Sequence, residues 1–155
     1  MKNKNAFTLI ELLVVIAILA GFMSLLVPNF MQVRIKSRDS RRKGDLKNIQ
    51  KALELYRQSQ TLPVYPPSLP TACVSSLADA GGTIYMTNVP YESLTKCGTN
   101  AANYYYKRTG SDNYVLAACL EDLNDPDGVV CPADFFPITN FSCPATAKCY
   151  QLLQP

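Results

Sequence analysis

The sequence predicts an α+β fold: a long amino-terminal helix, a small antiparallel sheet after it, and a tail of loops tied by disulfides. Three observations predict it. Seventeen of the twenty-one residues from Phe7 to Val27 are apolar, and the helical pattern resumes as a stripe through Leu46, Ile49, Leu53 and Tyr56. Strand formers flank a polar turn between Tyr104 and Glu121. Six cysteines, Cys73, Cys97, Cys119, Cys131, Cys143 and Cys149, all lie beyond the apolar run.

The first six residues, "MKNKNA", form a short basic leader. A secretory signal peptide fits poorly, because cleavage after Ala20 would set the bulky Ile18 at a position that wants a small residue. The segment from Phe7 is therefore read as retained. As a helix it covers about 30 Å, the thickness of a bilayer's hydrocarbon core. Its only charge is Glu11, and a carboxylate there costs about 1–3 kcal/mol on insertion scales, so its retention calls for a partner. Lys2 and Lys4 flank one end of the span and Arg34, Lys36, Arg38, Arg41, Arg42 and Lys43 the other. Charge bias alone points the chain the wrong way. The cysteines decide the orientation, since an even number confined to one side reads as disulfides in an oxidising compartment.

Pro28 removes an amide donor and predicts a kink. Beyond it the stripe through Leu46, Ile49, Leu53 and Tyr56 needs a surface to cover it, with Asp45, Lys47, Asn48 and Lys51 on the other faces. The whole helix, from about Phe7 to Gln58, would be roughly 75–80 Å long. Residues 61 to 73, "TLPVYPPSLPTAC", carry four prolines and form an extended connection. Strand signals follow at Thr83 to Thr87, and Tyr104 to Arg108 with Asn113 to Glu121 reads as a β-hairpin. In that hairpin Tyr104 and Tyr106 share one face and Tyr105 the other, as core packing. From Asn124 to Pro155 the chain reads as loops. Short loops favour neighbouring cysteines such as Cys143 with Cys149, although spacing alone leaves the pairing open.

The absence of histidine excludes Ser-His-Asp and Cys-His nucleophiles and histidine metal ligands. No constellation for catalysis remains, so no enzyme activity is expected. A net charge of +3 is too mild to announce nucleic acid. The cluster from Arg34 to Lys43 reads as a solvated, subunit-pairing face rather than a site for lipid headgroups or DNA, with Asp39 and Asp45 placed to pair with Arg38 and Arg42, one helical turn apart, or with neighbours. In "EDLNDPDG", Asp122, Asn124, Asp125 and Asp127 are oxygen donors of the kind calcium takes. Their spacing departs from the EF-hand pattern and equally marks an ordinary turn. No other cofactor is implied. Asn140-Phe141-Ser142 is a glycosylation triplet of low specificity.

The leader followed by "AFTLIELLVVIAILAGFMSLLVP", then "DLKNIQKALELYRQSQTLPVYP" and the "YYYKR…YVLAACLE" hairpin, resembles the type IV pilin and pseudopilin family. The resemblance implies a lollipop-shaped subunit: leader 1–6, a membrane-spanning and filament-core half-helix 7–28, an amphipathic half 29–60, and a sheet-bearing head 61–155. A prepilin peptidase would cut between Ala6 and Phe7 and methylate the Phe7 amine. In the filament the Glu11 carboxylate would meet that amine on a neighbouring subunit. Ala6 stands where the family has glycine, adding a methyl that narrows the backbone's freedom.

The implied function is a structural subunit of a type IV pilus-like homo-oligomeric filament serving adhesion, motility or DNA uptake. The precursor would cross the inner membrane once with its amino terminus in the cytoplasm, and an inner-membrane platform protein and an assembly ATPase would then move it into an extracellular fibre. A pseudopilin of a type II secretion system, forming a periplasmic pseudopilus, is the alternative within the family. A minor pilin that binds DNA or another ligand is the alternative of another class.

Overall fold

Residues Leu9–Ser59 form one helix, α1, in a computed structural model that describes residues 8–70, 75–91, 104–132, 143 and 147–153, with the side chains of 25–29 outside the description. The helical assignment is continuous through position 28; the ring of Pro28 lies outside the described side chains. Ala6, Phe7, Cys73, Cys97 and the triplet at 140–142 also lie outside the described residues. The chain divides into two units, one ending at Lys36 and the other beginning at Ser37.

In the second unit, two antiparallel sheets follow the helix. The smaller pairs β1, Leu77–Ala78, with β2, Ile84–Met86. Between them the backbone reverses at Gly82, whose φ of 85° lies in the left-handed region that favours glycine. Asp79 ties this turn by accepting the Thr83 amide at 2.8 Å.

The larger sheet has β3, Tyr105–Arg108; β4, Tyr114–Leu120; β5, Val129–Val130; and β6, Lys148–Leu153, in the order β3-β4-β6-β5. Every neighbouring pair is antiparallel. The expected hairpin is present: Tyr105 stands opposite Ala117 and Arg108 opposite Tyr114, around a turn in which the Thr109 amide reaches the Asn113 carbonyl at 3.0 Å. The expectation of loops from Asn124 onward is corrected by β6. That segment, Lys-Cys-Tyr-Gln-Leu-Leu, holds no β-branched residue, but the open edge of β4 supplies a ladder from Val115↔Leu153 to Leu120↔Lys148. Context here overrides weak propensity.

A central strand covered on both faces should be apolar throughout, and β4 is. Its Tyr114, Leu116 and Ala118 meet Leu46, Ile49, Ala52 and Leu53 of the helix in the main core. The helix stripe therefore has its cover. Ala117 faces the other way, with Tyr105, Cys143 and Cys149 in a second cluster. The three tyrosines alternate as the strand period requires: Tyr104 joins the main core, Tyr106 packs against it and Tyr105 joins the second cluster.

Over residues 61–70 the proline-rich connection forms neither helix nor strand, as its prolines require, and it is anchored at Tyr65. Tyr65 is 1% exposed, with its ring edge-on to Tyr114 at 4.7 Å. Its hydroxyl donates to Glu54 at 2.8 Å. Burial, with the Glu54 hydrogen bond, pushes the Tyr65 phenol up to about 12.

Candidate assembly site

The helix begins with a reciprocal cap. The Thr8 amide and hydroxyl both donate to Oε2 of Glu11 at 2.8 Å, and the Glu11 amide donates to the Thr8 hydroxyl at 3.3 Å. Threonine followed three residues later by glutamate is the capping-box pattern, in which each side chain satisfies an orphan donor of the first turn. Sequence reasoning missed this role for Thr8, although the pattern Thr-Leu-Ile-Glu was there to be read. Glu11 thus has a partner within its own chain, and every hydrogen bond described for its carboxylate falls on one oxygen.

Around that cap the helix surface is apolar on every side. Leu9, Ile10, Leu12, Leu13, Val14, Val15 and Ile16 are all exposed, and so are Phe30, Met31 and Val33. Residues this close in sequence point all round a helix at about 100° apart, so no polar face is left for water. Among the described residues no helix is long and apolar enough to cross a membrane; the apolar run of the sequence continues through 25–27, whose side chains are not described.

The basic cluster has two fates. In the first unit, Arg34 lies over the Phe30 ring, 4.7 Å from its centre. In the second, Arg41 is exposed as a solvated face requires, whereas Arg38 and Lys43 are half-buried and Arg42 is buried. Asp39 and Arg42 are 1% and 2% exposed and ion-paired to each other. Asp39 also accepts the backbone amides of Glu121, at 3.1 Å from each of its oxygens, and of Asp122 at 2.8 Å. Arg38 and Arg42 both hold the Glu121 carboxylate. The hydrogen bond from Arg38 lowers the Glu121 carboxyl below its ordinary value, with Arg42 adding to it against the cost of burial. A buried charge is tolerable when paired and hydrogen-bonded, and here the pairing fixes the helix to the end of β4. Glu121 was missed because its partners lie about eighty positions earlier in the chain, as with Arg38 at a separation of 83.

The acidic loop is held by the same helix. Lys43 reaches Asp125 at 2.6 Å and Asp127 at 2.8 Å. Burial pulls the Lys43 ammonium down, but hydrogen bonds and charges from both aspartates outweigh it and leave it raised. The Lys43 hydrogen bond lowers the Asp125 carboxyl. Asp122 accepts the Asn124 amide at 2.9 Å, and Asp125 accepts that of Asp127 at 2.9 Å. Of the four residues weighed as calcium ligands against an ordinary turn, Asp125 and Asp127 thus give oxygens to a lysine, Asp122 caps a turn, and Asn124 donates its amide to that cap.

The disulfides differ from the neighbour pairing. Cys119 bonds Cys143 and Cys131 bonds Cys149, with Cα separations of 5.7 and 5.1 Å. Cys143 and Cys149 are not joined; their sulfurs stand 3.7 Å apart. The reason is the sheet order. With β6 between β4 and β5, Cys149 lies opposite Cys119 on one side and Val129 on the other, which brings Cys131 within reach.

Two comparisons bear on this arrangement. Residues 1–26 match the prokaryotic N-terminal methylation motif. The chain is 30% identical over 120 residues to the "Type IV wide pilus major component PilA4" of Thermus thermophilus, covering 64% of this chain and 92% of that one. No solved structure matches.

Proposed function

The chain belongs to the type IV pilin family, and from that premise we infer that it is the structural subunit of a pilus filament, packed through its apolar amino-terminal helix. Filament assembly and processing by a prepilin peptidase come with the family. The finer steps are our reading. The peptidase cuts between Ala6 and Phe7 and methylates the new amine. Before assembly, segment 7–28 crosses the inner membrane with the amino terminus in the cytoplasm, and a platform protein and an assembly ATPase extract it.

The single observation that carries this reading is the first stretch of α1, from Leu9 to Met23, apolar on every face with one carboxylate near its start. Such a surface is satisfied by lipid or by identical helices, and not by water. In the membrane the Thr8 cap offsets part of the cost of Glu11. In the filament a neighbouring Phe7 amine supplies an opposite charge, and two buried charges offset each other's desolvation where a lone one would be penalised. The relative's printed name, a major component of a wide pilus, favours a pilus over a secretion pseudopilus.

Intact mass and amino-terminal sequencing of the sheared surface fraction and the membrane fraction test the reading. A chain beginning at methylated Phe7 and abundant in sheared fibres is expected. A chain still beginning at Met1 in both fractions would overturn it.

A further inference from the structure

The two disulfides touch. Cys143 and Cys149, 5% and 0% exposed, contribute the inner sulfurs, 3.7 Å apart. Their bonded partners, Cys119 and Cys131, are half-buried and form the outer pair. The sulfurs of Cys131, Cys143 and Cys149 all lie within 4.8 Å of one another.

Thiol–disulfide exchange proceeds by attack of a thiolate on a disulfide sulfur, and access decides which sulfur is attacked. In this cluster each outer sulfur is bonded to an inner one, and each inner sulfur faces the other disulfide. A leaving thiolate therefore emerges already in contact with its next target.

We propose that the four cysteines form one exchange site whose substrate is a dithiol reductant, and that attack at either outer sulfur ends with a Cys143–Cys149 bond and free thiols at Cys119 and Cys131. Attack at Cys131 forms a mixed disulfide and expels the Cys149 thiolate. That thiolate attacks Cys143, forming the Cys143–Cys149 bond, and the electron pair of the broken bond leaves on Cys119, which takes a proton. The second thiol of the reductant then closes on its own mixed disulfide, leaving as a cyclic disulfide and freeing Cys131. Two electrons enter, one protein disulfide is reduced and one is exchanged. Attack at Cys119 runs the same sequence in mirror order, through the Cys143 thiolate onto Cys149, and reaches the same product. The substrate is thus a dithiol of the kind that thiol–disulfide oxidoreductases carry, and the product unties the segment between β4 and β6 from both outer anchors.

The full-length oxidised protein is treated stepwise with dithiothreitol until any of the four carries label after an acid quench and alkylation, and linked peptides are mapped by mass spectrometry. Label on Cys119 and Cys131 exceeding that on Cys143 and Cys149 by at least about tenfold, with a Cys143–Cys149 peptide, is expected. Label on Cys131 and Cys149 with Cys119–Cys143 intact, or on Cys119 and Cys143 with Cys131–Cys149 intact, overturns the proposal. The double variant Cys119→Ser, Cys143→Ser removes the second bond, and in it the label should move to Cys131 and Cys149. A label at Cys131 still about tenfold above that at Cys149 in that variant would show that accessibility to the alkylating agent sets the pattern, and would also count against the relay.

Discussion

The Asp39 carboxylate accepts the backbone amide of Glu121, 3.1 Å from each of its two oxygens, while it is ion-paired to Arg42 on its own helix. One aspartate thus joins a helix surface to the end of the central strand. Asp39→Ala would leave Arg42 buried without this carboxylate and leave two backbone amides, of Glu121 and Asp122, without their acceptor. We expect a loss of about 3–5 kcal/mol, as for other broken buried pairs, read by denaturant unfolding through tyrosine circular dichroism. Arg41→Ala, at an exposed position one residue from Arg42, should stay within about 0.5 kcal/mol.

Acid should weaken this junction. The folded carboxyls of Glu121 and Asp125 lie below their ordinary values of 4.5 and 3.8. Below those values the unfolded chain binds more protons than the folded one, so the stabilisation is present above them and is lost as pH falls through the lowered folded values. Lys43 acts in the opposite sense: raised above 10.5, it contributes below that value and its contribution fades as pH climbs through the folded one. Unfolding midpoints across the pH range should fall at both ends, and Glu121→Gln should flatten the acid limb.

Gly128 is closed to a side chain. A Cβ there would sit 2.7 Å from Cδ and 3.0 Å from Cβ of Lys148, and 3.2 Å from the Asp125 carbonyl oxygen. Gly128→Ala should cost about 1–3 kcal/mol, the range of overpacking, and a thermal melt beside the parent protein checks it. A loop displaced by the new methyl should also raise the Asp125 carboxyl, because Lys43 would lose its grip.

Thr8→Ala should fray the first turn of the helix. Removing a threonine cap costs about 1 kcal/mol, so hydrogen exchange at the Glu11 and Leu12 amides, which Thr8 accepts, should speed up by roughly fivefold, with Thr8→Ser restoring the protection. Unchanged exchange would mean that the Glu11 carboxylate finds its partner elsewhere.

Much of the fold was legible because its signals are local. The stripe through Leu46, Ile49 and Leu53 has the helical period, and the hairpin has alternating strands about a polar turn. Tyr56 is less covered than the rest of the stripe and packs instead edge-on to Tyr85 at 5.3 Å. What sequence reasoning lost is non-local. The strand β6 has no β-branched residue and Tyr150 as its one strong strand former, and it pairs along the open edge of β4. The cysteine pairing follows from the order of strands, which spacing along the chain does not encode. The Asp39–Arg42 pair, three residues apart on one helix, was legible; the burial of that pair was not, because Glu121, the carboxylate that joins Arg38 and Arg42, is far away in sequence. Only Thr8 was missed with its signal in plain sight.

The bonds Cys119–Cys143 and Cys131–Cys149 overlap along the chain, each having one end inside the loop closed by the other. Had neighbours paired, a protease cutting between Cys131 and Cys143 would have severed the chain in two. With the overlapping pattern, a cut anywhere between Cys119 and Cys149 is bridged by at least one disulfide, and a cut between Cys131 and Cys143 by both. A second cut, between Cys119 and Cys131 or between Cys143 and Cys149, still sheds nothing. In the extracellular fibre that we propose, that arrangement turns a backbone cut between Cys119 and Cys149 into a silent event.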